Sequence, residues 1–192
     1  MAIREILAIP HPILRQRARK VRRVDKKLLR LAHDMVETMR EAGGVGLAAN
    51  QVGELRRLVV IQIPEEEEAR IYINPEILKR SGEREVEEGC LSHAGYRAMV
   101  NRSEWIRFGA LDHTEKVVKI KTDGLLSQAM EHEVDHLNGI LYLDHLVEHS
   151  KPYRVDENGE PLDQEHEASE EGAAASTEPL VPEDVPASLK IR

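Results

Sequence analysis

Cysteine is almost absent from this chain, which has one, Cys90, in 192 residues. An internal disulfide framework is excluded, and the thiol is either a small buried apolar group or a ligand. Aromatic residues make up 3%, with a single Trp and a single Phe, so any core must be aliphatic. No apolar run approaches the length of about 18 residues that marks a membrane-spanning helix. Charge of one sign is missing from the body as well. Of 35 acidic and 27 basic residues, 12 and 4 fall within residues 148–192, which leaves 23 of each ahead of them. A neutral body followed by an acidic tail offers no electrostatic footprint for nucleic acid.

What is present centres on Ser127 to Gly139, SQAMEHEVDHLNG. His132, Glu133 and His136 form H-E-x-x-H, and residues four apart share one helix face, so two imidazoles can close on one metal ion with Glu133 beside it. The pattern fixes only three positions, and its plain alternative is a solvated helix face. Two features favour a site. Thr122 or Asp123 can cap the helix, and an apolar stripe of Leu126, Met130, Val134 and Leu137 runs beside the stripe of Leu125, Ala129, His132 and His136.

A catalytic site needs a third protein ligand and an open position. The extended protease pattern that continues to a third histidine fails here, because that position is Tyr142 and no methionine follows Met130. A glutamate ligand could come only from the acidic tail, so the third ligand must lie upstream.

Read in order, Met1 to Arg23 is rich in arginine. A removable transit peptide is one reading, but Ile3, Ile6, Leu7, Ile9, Ile13 and Leu14 supply apolar anchors that favour a folded N-terminus. Asp25 to Ala42 reads as an amphipathic helix capped by Asp25 and ended by Gly43. Gly43 to Gly53, GGVGLAANQVG, lacks the features of a phosphate loop and fits either a connector or the rim of a substrate cleft. Strands are expected at Leu58–Ile63, Ile71–Ile73, Arg97–Val100, Trp105–Leu111 and Lys116–Lys121, with an extended turn or short strand at Ile140–Leu143. The fold class is therefore α+β, with antiparallel strands packed around a central helix that carries the metal motif. Residues 1–149 form the expected catalytic domain, and 150–192, rich in Glu, Ala, Ser and Pro, an acidic disordered tail.

Three separated stretches together resemble peptide deformylase: Gly44 to Gln51 (GVGLAANQ), Glu88 to Ser92 (EGCLS) and His132 to Gly139 (HEVDHLNG). They stand in family order at about family spacing, and Pro10 to Arg15 resembles the family's opening. The resemblance covers residues 3–147 and implies the missing ligand, Cys90, beside His132 and His136. It implies ferrous iron, with zinc, nickel or cobalt able to occupy the same site, and the reaction is removal of the formyl group from N-formylmethionine on new bacterial polypeptides. Glu133 would be general base and acid, with Gln51 and the Leu91 backbone N–H holding the oxyanion. Gly46, Arg97, Leu125 and Ala129 would bind the peptide, Asp135 would support the ligands and Glu88 would pair with Arg102.

The implied partners are N-formylmethionyl nascent chains and, transiently, the ribosome, in the bacterial cytoplasm. Nothing in the sequence suggests a membrane or nucleic-acid partner. His93, Ala94, Gln128 and Glu131 depart from the family pattern near the cleft, and the acidic tail replaces a basic C-terminal helix. A zinc endopeptidase or a non-catalytic binder are the rival readings, and a formyl-peptide assay against an internal peptide separates them.

Overall fold

The computed structural model describes residues 2–156 and 158–162. The disorder expected over 163–192 lies outside them. Helix α1, Lys26–Glu41, begins where expected, with the Asp25 side chain accepting the Leu28 N–H at 2.8 Å. Its buried stripe of Leu28, Leu31, Met35 and Met39 follows the helical repeat.

Among the described residues eight strands follow the antiparallel plan: β1 Gly46–Ala48, β2 Leu58–Ile61, β3 Arg70–Ser81, β4 Arg84–Gly89, β5 Tyr96–Arg102, β6 Trp105–Leu111, β7 Val117–Asp123 and β8 Tyr153–Arg154. They form a five-stranded sheet in the order β1-β2-β3-β6-β7 and a three-stranded sheet in the order β4-β5-β8. Helix α2, Gly124–Leu137, carries the metal motif, and ten of its 14 residues are buried. Strand β2 explains why both helices pack here. Successive side chains point to opposite faces, so Val59 and Ile61 meet α2 while Leu58 and Val60 meet α1. A continuous apolar LVVI suits a strand covered on both sides.

The N-terminal segment is folded across the elements that carry the site. Leu7 N–H donates to the Gln51 carbonyl and Ile9 N–H to the Ser92 carbonyl, each at 2.8 Å. Gly139, at φ +77°, ends α2 against this segment, and a Cβ there would collide with the Arg15 carbonyl.

Several local expectations are corrected. Neither Thr122 nor Asp123 caps α2 through its side chain onto an amide. Gly124 opens the helix at φ +59°, and the Ser127 hydroxyl donates back to the Gly124 carbonyl at 2.9 Å. Strand β3 does not stop before Asn74-Pro75. Asn74 takes a positive φ of 53°, and pairing with β6 resumes after a register shift between Ile73 and Glu76. Tyr142–His145, overlapping the expected Ile140–Leu143, is a short 3-10 turn. The ordered body also runs past residue 149: β8 pairs Tyr96 with Arg154 and Arg97 with Tyr153, and Val155 bridges to Pro161. A two-residue strand is too short to show a period in the sequence, which is why composition assigned it to the tail.

Candidate metal centre and its cleft

Local helix geometry places His132 and His136 one turn apart on the buried face of α2, with their Nε2 atoms 3.1 Å apart. Cys90, just beyond β4, brings its Sγ to 3.2 Å from His136 Nε2. All three donor atoms lie within 4.8 Å of one another. Ordinary metal–nitrogen and metal–sulfur bond lengths place tetrahedral donors about 3.3–3.6 Å apart, so the set fits a single small divalent ion. One thiolate and two imidazoles leave a fourth position for water or substrate. The thiol that could have been a buried hydrophobe is therefore gathered with both histidines.

Outer contacts orient these donors. Glu88 Oε1 holds His132 Nδ1 at 2.5 Å, which aims the opposite ring nitrogen at the metal position. Arg102 donates to both Glu88 oxygens at 3.0 and 2.7 Å and reaches Asp135 Oδ2 at 2.5 Å. Both sequence-level suggestions for this layer, the Glu88–Arg102 pair and a supporting Asp135, are present in one buried network. Burial by itself would raise the Glu88 carboxyl, but facing His132 and Arg102 hold it far below its ordinary range. Burial also disfavours a charged His132, yet the facing Glu88 and Cys90 hold its pKa well above the usual value in the metal-free protein. His136 is held from behind by Asn50, whose Nδ2 donates to its carbonyl at 2.5 Å.

A cavity of about 570 Å³ opens onto Cys90 and His132 of the donor set. Its lining includes all the residues expected to do the catalysis or bind the peptide: Gly46, Gln51, Leu91, Arg97, Leu125, Ala129 and Glu133. Gln51 is fixed at both ends of its amide. Its oxygen accepts the Ala48 N–H at 2.8 Å, while Nε2 lies 3.2 Å from Ser92 Oγ and 3.6 Å from Cys90 Sγ. Glu133 is buried, and its Oε2 has no partner among the described residues. A side chain at Gly46 would run into that carboxylate, so only glycine lets β1 approach. Burial pushes the Glu133 carboxyl up to about 7. Ala129 is 4% exposed and Leu125 42%, so one is wall and the other mouth. Arg97 is paired with Glu87.

The departures divide in the same way. His93 lines the cavity, stacks on Tyr96 at 4.4 Å between ring centres and bonds the Tyr142 hydroxyl at 2.7 Å. Gln128 lines it too, donating to the Glu87 carbonyl at 2.9 Å. Glu131 points away, to Arg80 at 2.9 Å and the Ser103 N–H at 3.0 Å. Sequence reasoning missed Asn50, Ser92 and Tyr142, which are polar residues whose partners lie far along the chain. It also missed Val155, Asp156, Asn158 and Gly159, which form a further wall.

Comparison with known proteins identifies the family. The family model described as polypeptide deformylase matches residues 3–152. A peptide deformylase of Dehalococcoides mccartyi is 46% identical over 155 residues, covering 81% of this chain and 93% of the relative. The crystal structure of a peptide deformylase from Legionella pneumophila superposes with a TM-score of 0.73 at 45% identity, covering 76% of this chain and 87% of the other. That from Thermotoga maritima gives 0.74 at 34% identity, covering 77% and 99%. With a family model spanning most of the chain and relatives this similar over nearly their whole length, the chain belongs to the peptide deformylase family of metal-dependent hydrolases.

Proposed function

We propose that the chain hydrolyses the formamide of N-formylmethionine at the start of newly made polypeptides, with Cys90, His132 and His136 as metal ligands and Glu133 as general base and acid. The observation that carries this reading is the buried Glu133 carboxylate, its Oε2 unpartnered among the described residues, in the same cavity as Cys90 and His132 of the donor cluster. A divalent ion bound there supplies a Lewis acid for the formyl carbonyl and lowers the pKa of water toward neutrality. Glu133 takes the proton of the water that attacks the formyl carbon. It returns that proton to the amine as the carbon–nitrogen bond breaks, releasing formate and a free methionine terminus. A carboxyl raised toward neutral pH suits a group that must both accept and release a proton.

Gln51 Nε2 and the Leu91 N–H are the donors for the tetrahedral oxyanion, each worth on the order of 10²–10³ in rate. Both anchors on Gln51 keep that amide from turning. Leu125 and Ala129 line the methionine pocket, the Gly46 backbone bonds the peptide, and Arg97 lies further along it.

Ferrous iron is the proposed native metal, and zinc, nickel or cobalt meets the same donor chemistry. Formylmethionyl nascent chains as substrate place the enzyme in the bacterial cytoplasm with transient ribosome contact. No helix of the described residues is long and apolar enough to cross a membrane. The deciding experiment is formate release from formyl-Met-Ala-Ser by anaerobically purified, metal-analysed protein, with acetyl-Met-Ala-Ser and an internal peptide as controls. Metal-loaded protein that releases no formate, or that cuts the internal peptide, overturns the reading. Iron content with retention of activity in air by a nickel form, but not by the iron form, tests the metal.

A further inference from the structure

The chain after residue 152 lies beyond the family match, yet Val155, Asp156, Asn158 and Gly159 reach the metal cleft. Strand β8 extends the small sheet at Tyr96 and Arg97, and the chain then turns back so that Leu162 N–H donates to the Arg154 carbonyl at 2.9 Å. Asp156 organises the turn, with Oδ1 accepting the N–H groups of Asn158 and Glu160 at 2.8 Å each. Val155, Asp156, Asn158 and Gly159 line the cavity that also holds Cys90 and Glu133. The hairpin is tied to the cleft at a second point. Gly159, at φ +83°, sits against the Arg97 guanidinium. The Tyr153 hydroxyl donates to Glu87, the carboxylate that also pairs with Arg97.

Charge singles out one residue of this wall. Among the cavity's acidic side chains, Glu88 is neutralised by Arg102 and Glu87 by Arg97. Glu133 belongs to the metal end. Asp156 is held only by N–H groups, with no cation paired to it among the described residues. Those N–H groups, Glu160's first, hold its carboxyl below the usual range, so it is ionised at neutral pH.

We propose that this hairpin is a substrate-reading wall that meets the peptide beyond the formylmethionine and, through Asp156, favours a cationic side chain there over an anionic one. The inference rests on the deformylase reading of the cleft. An exposed ion pair is weak, so the discrimination is roughly two- to fivefold and fades with salt.

The test uses the full-length, metal-loaded enzyme and C-terminally amidated pairs: formyl-Met-Ala-Lys against formyl-Met-Ala-Asp, and formyl-Met-Ala-Ser-Lys against formyl-Met-Ala-Ser-Asp. The expected result is a two- to fivefold higher kcat/KM for the lysine peptide in at least one pair at low salt. Asp156→Asn, which keeps an acceptor for the turn, should bring that ratio toward one, and Asp156→Lys should invert it. Ratios taken within one preparation are unaffected by any loss of folded enzyme. Equal rates within both pairs for the wild type, or a preference that survives Asp156→Lys, overturns the inference and leaves the deformylase reading standing. No formate from any peptide, formyl-Met-Ala included, overturns both.

Discussion

Glu133 sits buried with Oε2 unpartnered among the described residues, a condition that ordinarily costs about 1–3 kcal/mol for a polar group. A water molecule at that oxygen would both satisfy it and lose a proton to it. Glu133→Ala should therefore yield folded protein with full metal content and kcat/KM lowered by about 10²–10⁴. Formate release and metal analysis on one sample check this, and near-normal turnover would remove Glu133 from the mechanism. A second expectation follows from the pH behaviour of the same group without metal. Its folded pKa, about 7, lies above the ordinary 4.5. A raised folded pKa contributes stability that is present below the unfolded value and lost as pH rises through the folded one. Metal-free Glu133→Gln should thus gain on metal-free wild type in denaturant midpoint between pH 4.5 and 7. A difference that stays constant across this window would sink the burial argument.

At the scale of elements, one guanidinium joins three of them. Arg102 on β5 is 4% exposed and bonds Glu88 on β4 and Asp135 on α2. Through Glu88 it reaches His132, so the small sheet sets the orientation of a ligand on the helix. Removing one partner from a buried ionic network leaves charges uncompensated and costs about 3–5 kcal/mol. Arg102→Met should lose stability of that order in urea unfolding and weaken metal binding as His132 loses its orientation. Unchanged stability together with unchanged metal affinity would mean the network does neither. Little of this was visible beforehand beyond the suggested Glu88–Arg102 pair and a supporting role for Asp135, because 14 residues separate Arg102 from Glu88 and 33 separate it from Asp135.

For the whole molecule, the metal donors join α2 to the segment after β4, so a bound ion clamps the helix against the small sheet. A ligand held by the folded but not the unfolded chain stabilises by RT ln(1 + [L]/Kd). The melting temperature should rise with free metal concentration and fall on chelation, and Cys90→Ser should shift that rise to much higher metal. A melting curve indifferent to metal in the wild type would contradict the clamp. The N-terminal segment works at the same scale, since its bonds to Gln51 and Ser92 brace the two loops that meet at the sulfur.

What the sequence determined by itself was local. Spacing of four set His132 and His136 on one face, the apolar stripe of α1 and the run Leu58–Ile61 announced buried elements, and Asp25 announced its cap. These are short-range properties of backbone geometry and side-chain period. Cys90, 42 residues before His132, was legible only because a ligand was missing and the family resemblance supplied one. Tertiary structure alone decided that Glu88 also grips His132, that Asn50 holds the end of α2, and that Glu131 turns from the cleft. It also decided that Val155, Asp156, Asn158 and Gly159 contribute a wall, although the composition there reads as tail. The physical reason is common to all four. Polar side chains carry no period that betrays their partners, and those partners become neighbours only when two antiparallel sheets and a buried helix close around one cleft.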